Sequence, residues 1–151
     1  MKLVHLMKLV ARVEAPLEVG RGLTGTRLVY GVTGGEFEGD RLRGRVLPVG
    51  GEWFLQSEGA LGQPDVRILL ETDDGARIYV RYTGVMEFSE AAIAALAEGR
   101  STDFGDTLFL TQVRFECGAP GYEWLSHTIA VGEGRMHPDC VEYAIYEVTH
   151  G

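Results

Sequence analysis

The chain has 151 residues, of which 45% are hydrophobic and 24% charged, and a net charge of −8. That length supplies one domain with one sizeable core, and the composition is that of an ordinary globular protein. The acidic balance argues against nucleic acid and anionic membrane surfaces as partners, both of which call for clustered Lys and Arg, and no apolar run approaches the roughly 18 residues of a spanning helix.

In chain order, the first segment, 2–14, resembles a signal peptide only superficially. Lys8 and Arg12 interrupt its apolar region, so it reads as a strand. Further strands are expected at 25–38, 41–49, 52–57, 65–73, 76–88, 107–117, 124–135 and 140–149. Turn residues separate them at the spacing of an all-β barrel or sandwich. One segment differs: 89–99, SEAAIAALAEG, predicts a single short helix. Ser89 is a good N-cap, Glu90 suits the positive helix end, and Gly99 suits the left-handed C-terminal position. Phe88 and Ile93 have the spacing of a hydrophobic staple. Such a helix, about 15 Å long, is enough to cover one end of a barrel. Cys117 and Cys140 have no framework spacing, which predicts a reduced, cytoplasmic protein.

Two hairpins have a register that the sequence predicts. In GEFEGDRLRG, a Gly39-Asp40 turn places Glu38 opposite Arg41, Glu36 opposite Arg43 and Phe37 opposite Leu42. At Asp73-Asp74-Gly75, a loop with Gly75 left-handed separates two faces cleanly. One face carries Val66, Ile68, Leu70, Ile78, Val80 and Tyr82. The other carries Asp65, Arg67, Glu71, Arg77, Tyr79 and Arg81, with Arg67 directly opposite Arg81. Like charges face to face are unfavourable, so an anion is expected beside them: Asp65, another carboxylate or a ligand.

Three blocks resemble the DUF3237 (UPF0311) family. The first is Gly25-x-Arg27, Gly34-Gly35-x-Phe37-Glu38-Gly39 and Leu42-x-Gly44-x-Val46-Leu47-Pro48, ending at Trp53. The second is Asp65-x-Arg67 with Glu71-Thr72-Asp73-Asp74-Gly75-Ala76-x-Ile78-Tyr79. The third is Phe115-Glu116, Tyr122-x-Trp124-Leu125 and Val131-Gly132-x-Gly134. The resemblance implies one domain over 1–151, an antiparallel β-barrel, lipocalin-like in the broad sense, with an internal cavity. It also implies a homo-oligomer, a dimer being the expected form. Three positions depart from the family pattern: Glu52 stands where Asp is usual, Leu108-Phe109-Leu110 replaces Tyr-Phe-Arg, and Ser126 replaces Asn.

Candidate site residues fall in three groups. Arg67, Arg81, Asp65 and Tyr79 form either an anion- or carbonyl-binding interior or a solvated outer face. Glu116, Tyr122, Trp124 and His127 form either a general base beside an aromatic wall or core aromatics with a paired carboxylate. Trp53 reads as a core residue or a ligand contact, and Glu52 becomes a second carboxylate candidate if its block lines the pocket. His127, His137, Cys117 and Cys140 lack metal-ligand spacing, so no metal is assigned. Gly31-Val32-Thr33-Gly34-Gly35 lacks a P-loop ending, no nucleophile elbow is present, and no cofactor is expected. The expected ligand is a small molecule. One function that fits is a cofactor-independent lyase, hydratase or isomerase acting on a small organic anion or carbonyl compound. In it Arg67 and Arg81 hold the anion, Glu116 or Glu52 moves a proton, and Tyr79 polarises oxygen. The alternative is a non-catalytic barrel that binds or carries a small hydrophobic acid.

Overall fold

The computed structural model describes residues 1–151. Its strands are β1 (Lys2–Val13), β2 (Leu17–Arg21), β3 (Thr26–Glu38), β4 (Arg43–Gln56), β5 (Leu61–Gln63), β6 (Asp65–Thr72), β7 (Arg77–Glu87), β8 (Phe109–Glu116), β9 (Ala130–Met136) and β10 (Cys140–Thr149). Antiparallel pairing runs β3–β1–β10–β9–β8–β7–β6–β4 and returns to β3, which closes an 8-stranded barrel. Closure removes the sheet edges that would otherwise template aggregation. The short β2 hangs on β3, and β5 bridges β4 and β7. Neither was apparent in the sequence, because each is too short for a period-2 pattern to emerge.

Alternation sorts the residues. Val66, Ile68 and Leu70 of β6 and Ile78, Val80 and Tyr82 of β7 are all buried inside, at 2% exposure or less. Their neighbours Arg67, Arg77 and Arg81 are exposed outside. The β6–β7 register pairs Arg67 with Arg81 as expected, and Gly75 takes a φ of 91° in the turn. The β3–β4 hairpin differs from its expected register. Glu38 pairs with Arg43, Phe37 with Gly44 and Glu36 with Arg45, so the connection is Gly39–Leu42 rather than a tight Gly39-Asp40 turn. Leu42 is 4% exposed and folds into the barrel end instead of pairing across the strand. The slip is two residues, so no side chain changes face.

The expected strands 41–49 and 52–57 are one, β4, bent where Gly50 takes a φ of 93°. The N-terminal part of 124–135 is a 3₁₀ turn, Glu123–His127, and only Ala130–Met136 is strand. Helix α1 spans Glu90–Ala97, and the Ser89 side chain accepts a hydrogen bond from the Ala92 amide as its N-cap. The staple does not form: Ile93 is 54% exposed, while Phe88 packs edge-on against Phe54, with ring centroids 5.6 Å apart.

The two barrel ends differ. The β6–β7 turn end is plugged by Leu125 of the 3₁₀ turn, which is fully buried, together with Leu42. The other end lies under α1 and the β9–β10 hairpin, and there the interior is not filled.

Candidate functional site

Glu52 sits on β4, paired with Tyr30 of β3 on one side and Val66 of β6 on the other. The same row continues through Tyr82 of β7 to Val113 of β8. Val66, Tyr82 and Val113 are buried, so the row lies inside the barrel and carries the Glu52 carboxyl inward. At the α1 end this row opens into a cavity of about 190 Å³. Its wall is mainly apolar, with Met86, Phe88, Leu96 and Phe109 facing Glu52, Tyr30 and Tyr143. The Phe109 ring packs directly on Gly134, where an added Cβ would come within 2.8 Å of it.

The electrostatics follow from that burial. Glu52 is pushed up to about 7, first by desolvation and then by the charge of Asp65. A carboxyl with that value exchanges its proton near neutrality, as a general acid or base must. Three phenols surround it. Tyr30 is raised by burial and by Glu52. Tyr82 and Tyr143 are raised by burial, and each also feels the Glu52 charge. The Tyr82 and Tyr143 rings meet edge-to-face at 4.9 Å, and Phe109 meets Tyr143 at 5.5 Å. All three phenols therefore stay protonated at neutral pH, and the Tyr82 and Tyr143 hydroxyls are hydrogen-bonded to each other.

The rim is fixed by a polar chain. His137, in the β9–β10 turn, lies 2.6 Å through Nε2 from Glu142 Oε2 and 2.6 Å through Nδ1 from Ser101 Oγ. Burial alone would raise Glu142, but hydrogen bonds from Arg135 and His137 outweigh it and bring it to about 2. Ionised at neutral pH, Glu142 takes the Nε2–H, which leaves Nδ1 to accept from Ser101. This ties the segment after α1 to the β9–β10 turn across the mouth. Cys140 also borders the cavity, and burial, followed by Asp139, raises its thiol, so it stays protonated.

Of the catalytic and substrate-binding candidates named from sequence, only Glu52 faces this cavity; His137 and Cys140, which were set aside as metal ligands, also line it. Arg67, Arg81, Asp65 and Tyr79 lie on the outer wall, because they alternate with the buried Val66, Ile68 and Val80. Asp65 serves as the anion the arginine pair requires, 3.8 Å from Arg67 and 3.4 Å from Arg81. Glu116 is exposed on the same outer wall, opposite Tyr79. Trp53 is also outside, 38% exposed, with the Arg67 guanidinium 5.6 Å from its ring. Tyr122 and Trp124 stand at the plugged end. Tyr122 donates to Asp74 at 2.9 Å, and Arg41 lies 3.9 Å over the Trp124 ring. His127 is exposed at the end of the 3₁₀ turn. Tyr30, Tyr82 and Tyr143 were not identified as site residues from sequence. Tyr82 was placed on the apolar face, which turns into the barrel interior.

The family model described as "Protein of unknown function (DUF3237)" matches residues 1–148. The chain belongs to the DUF3237 family. A UPF0311 protein of Rhodopseudomonas palustris (strain ATCC BAA-98 / CGA009) is 31% identical over 144 residues, covering 95% of this chain and 94% of that protein. A crystal structure of a conserved protein of unknown function from R. palustris superposes with a TM-score of 0.90 at 30% identity, covering 98% of this chain and 97% of the other. A β-barrel-like protein from Acinetobacter baumannii AYE gives a TM-score of 0.85 at 35% identity, over 98% and 96% of the two chains. Departures of this DUF3237 chain from the family pattern now have places. Glu52 reaches into the cavity, whereas Leu108 and Leu110 are exposed on the outside of the barrel.

Proposed function

We propose that this DUF3237 protein is a cofactor-independent proton-transfer enzyme acting on a small, neutral, largely apolar carbonyl compound bound inside the barrel. The observation that carries this reading is the Glu52 carboxyl, poised near neutrality in an otherwise apolar cavity ringed by phenols. Perturbed carboxyls in concave apolar sites are the usual mark of acid–base function. In the proposed step, ionised Glu52 removes a proton from the carbon next to the carbonyl. One or more of Tyr30, Tyr82 and Tyr143 donates a hydrogen bond to the oxygen as enolate charge develops there. Protonated Glu52 then returns the proton to a different carbon, for an isomerase, or assists departure of a leaving group, for a lyase. The carbonyl half of the sequence expectation is preferred over the anion half. The arginines that were to hold an anion stand outside, and an anion inside would meet Glu52 itself.

The test is proton exchange. Cyclic ketones and lactones that raise the melting temperature would be incubated with protein in D₂O and followed by NMR. Accelerated deuterium uptake beside the carbonyl is expected, reduced at least ~100-fold by Glu52→Gln. Exchange undiminished in Glu52→Gln would remove Glu52 from the role. A second reading, a carrier for small hydrophobic compounds, rests on the mainly apolar wall of the cavity. It predicts the same melting shifts with no exchange and ligands recovered unchanged by mass spectrometry.

A further inference from the structure

The outer wall holds a second feature, separate from the cavity. Across three adjacent strands, Arg67 pairs with Arg81 and Arg81 pairs with Arg114. This row of cations stands on a chain of net charge −8, and Asp65 alone is ion-paired to it. Beside it runs a broad groove of about 940 Å³ over the outer faces of β7–β10. Its residues include Val85, Leu110, Val131 and Tyr146, and Leu110 is 54% exposed. Thr83 and Gln112 belong both to this groove and to the cleft between Arg81 and Arg114, so the two are one surface.

The register gives this surface a particular symmetry. A central row runs Thr83–Gln112–Val131–Tyr146 across β7, β8, β9 and β10. Two residues to one side along the strands are Arg81 and Arg114. Two residues to the other side are Val85, Leu110 and Glu133, with Leu110 opposite Glu133. A twofold axis lying along the central row exchanges these two sides. The surface is therefore complementary to itself: positive and long-stemmed on one flank, apolar and negative on the other.

We infer that this wall is a docking surface for a second copy of the chain, packed face to face about an axis along Thr83–Gln112–Val131. In that pairing the stems of Arg81 and Arg114 cover Val85 and Leu110 of the partner subunit, as arginine stems cover apolar surface elsewhere. Their guanidinium groups reach Glu133 of the partner subunit. Symmetry repeats each contact, so an isologous interface gains every favourable pair twice. Charge complementarity of this kind sets orientation and rejects other pairings. The same contact accounts for Arg114, which no carboxylate of its own chain pairs, whereas Arg67 and Arg81 share Asp65.

Sedimentation velocity on the full chain at about 10–100 µM tests this, with circular dichroism as a check that each variant is folded. Wild type is expected to sediment as a dimer and Leu110→Asp as a monomer. Arg114→Glu should weaken dimerisation at least ~10-fold, as should Glu133→Arg, and the double variant Arg114→Glu/Glu133→Arg should recover it to within ~3-fold. A monomeric wild type at 100 µM overturns the proposal. So does a Leu110→Asp variant that remains dimeric, or a double variant no better than the singles. If the wild type is monomeric yet binds inorganic phosphate in a manner abolished by Arg114→Glu, the row is a small-anion site and the docking reading is overturned.

Discussion

At the scale of the residue, Glu52 carries the heaviest energetic consequence. Its value of about 7 means that the folded protein holds this proton more tightly than the unfolded chain, whose carboxyl keeps the ordinary value near 4.5. Protonated Glu52 sits in the apolar interior without electrostatic cost. As pH rises past the unfolded value, the unfolded chain ionises freely while the folded one resists, and stability falls until pH passes 7. The full shift corresponds to about 3 kcal/mol. Glu52→Gln removes the titration while keeping the shape. The variant is therefore expected to match wild type in stability near pH 4 and to exceed it by up to about 3 kcal/mol at pH 8 in urea unfolding. Equal stabilities at pH 8 would mean that water reaches the carboxyl and that the cavity is not the apolar site described. A residue whose removal stabilises the fold is one retained for something other than folding.

At the scale of the element, what could be read from the sequence depended on which pattern decided the question. The β6–β7 hairpin was legible to the pair, Arg67 opposite Arg81, because a left-handed Gly75 and a clean separation of polar from apolar faces leave one register. The β3–β4 hairpin was legible in its faces but not in its pairing. Glu36, Glu38, Arg41, Arg43 and Arg45 alternate so regularly that a slip of two residues keeps opposite charges together, and only the tertiary burial of Leu42 selects the longer connection. The site was harder for a related reason. In a small barrel the cavity is lined by the apolar faces, so a polar face such as Asp65–Arg67 points away from it. Glu52 and Trp53 reverse the ordinary rule, the carboxyl turning in and the indole out. Their neighbour Phe54, 1% exposed on the same parity as Glu52, was the available clue. Helix α1, by contrast, was announced by Ser89, whose side chain caps the Ala92 amide at 3.1 Å. Ser89→Ala is expected to cost about 1 kcal/mol and to loosen the cavity cover, read as faster amide exchange across Glu90–Ala97. Unchanged exchange there would show that packing of Phe88 and Leu96, not the cap, holds the helix.

At the scale of the whole molecule, two carboxyls shifted in opposite directions shape the response to pH. Glu142 bridges β10, the β9–β10 turn and β1, accepting from Arg135 at 2.9 Å and lying 3.5 Å from Lys8. Burial works against its charge, but the hydrogen bonds from Arg135 and His137 prevail and hold it at about 2. A depressed carboxylate contributes stability that is fully present above its unfolded value near 4.5 and is lost as pH falls toward 2. Glu52 acts in the other direction over the window from 4.5 to 7. The sum is a stability profile that falls on both flanks, with Glu52 acting on the alkaline side and Glu142 the buried contributor on the acid side, where the lowered Glu71 and Asp74 also act. Glu142→Gln should flatten the acid flank and lower stability at pH 7 by about 2–3 kcal/mol, since Arg135 and His137 lose their ionised partner. Glu52→Gln should flatten the alkaline flank alone. Thermal unfolding across pH 3 to 8 for wild type and both variants reads the two effects separately. A Glu142→Gln variant that keeps the wild-type acid flank would place the acid-sensitive contacts elsewhere. Because Glu142 also anchors His137 at the cavity mouth, the same variant should speed ligand exchange without moving the pH at which Glu52 titrates. That combination separates a residue that holds the entrance from the one that handles the proton.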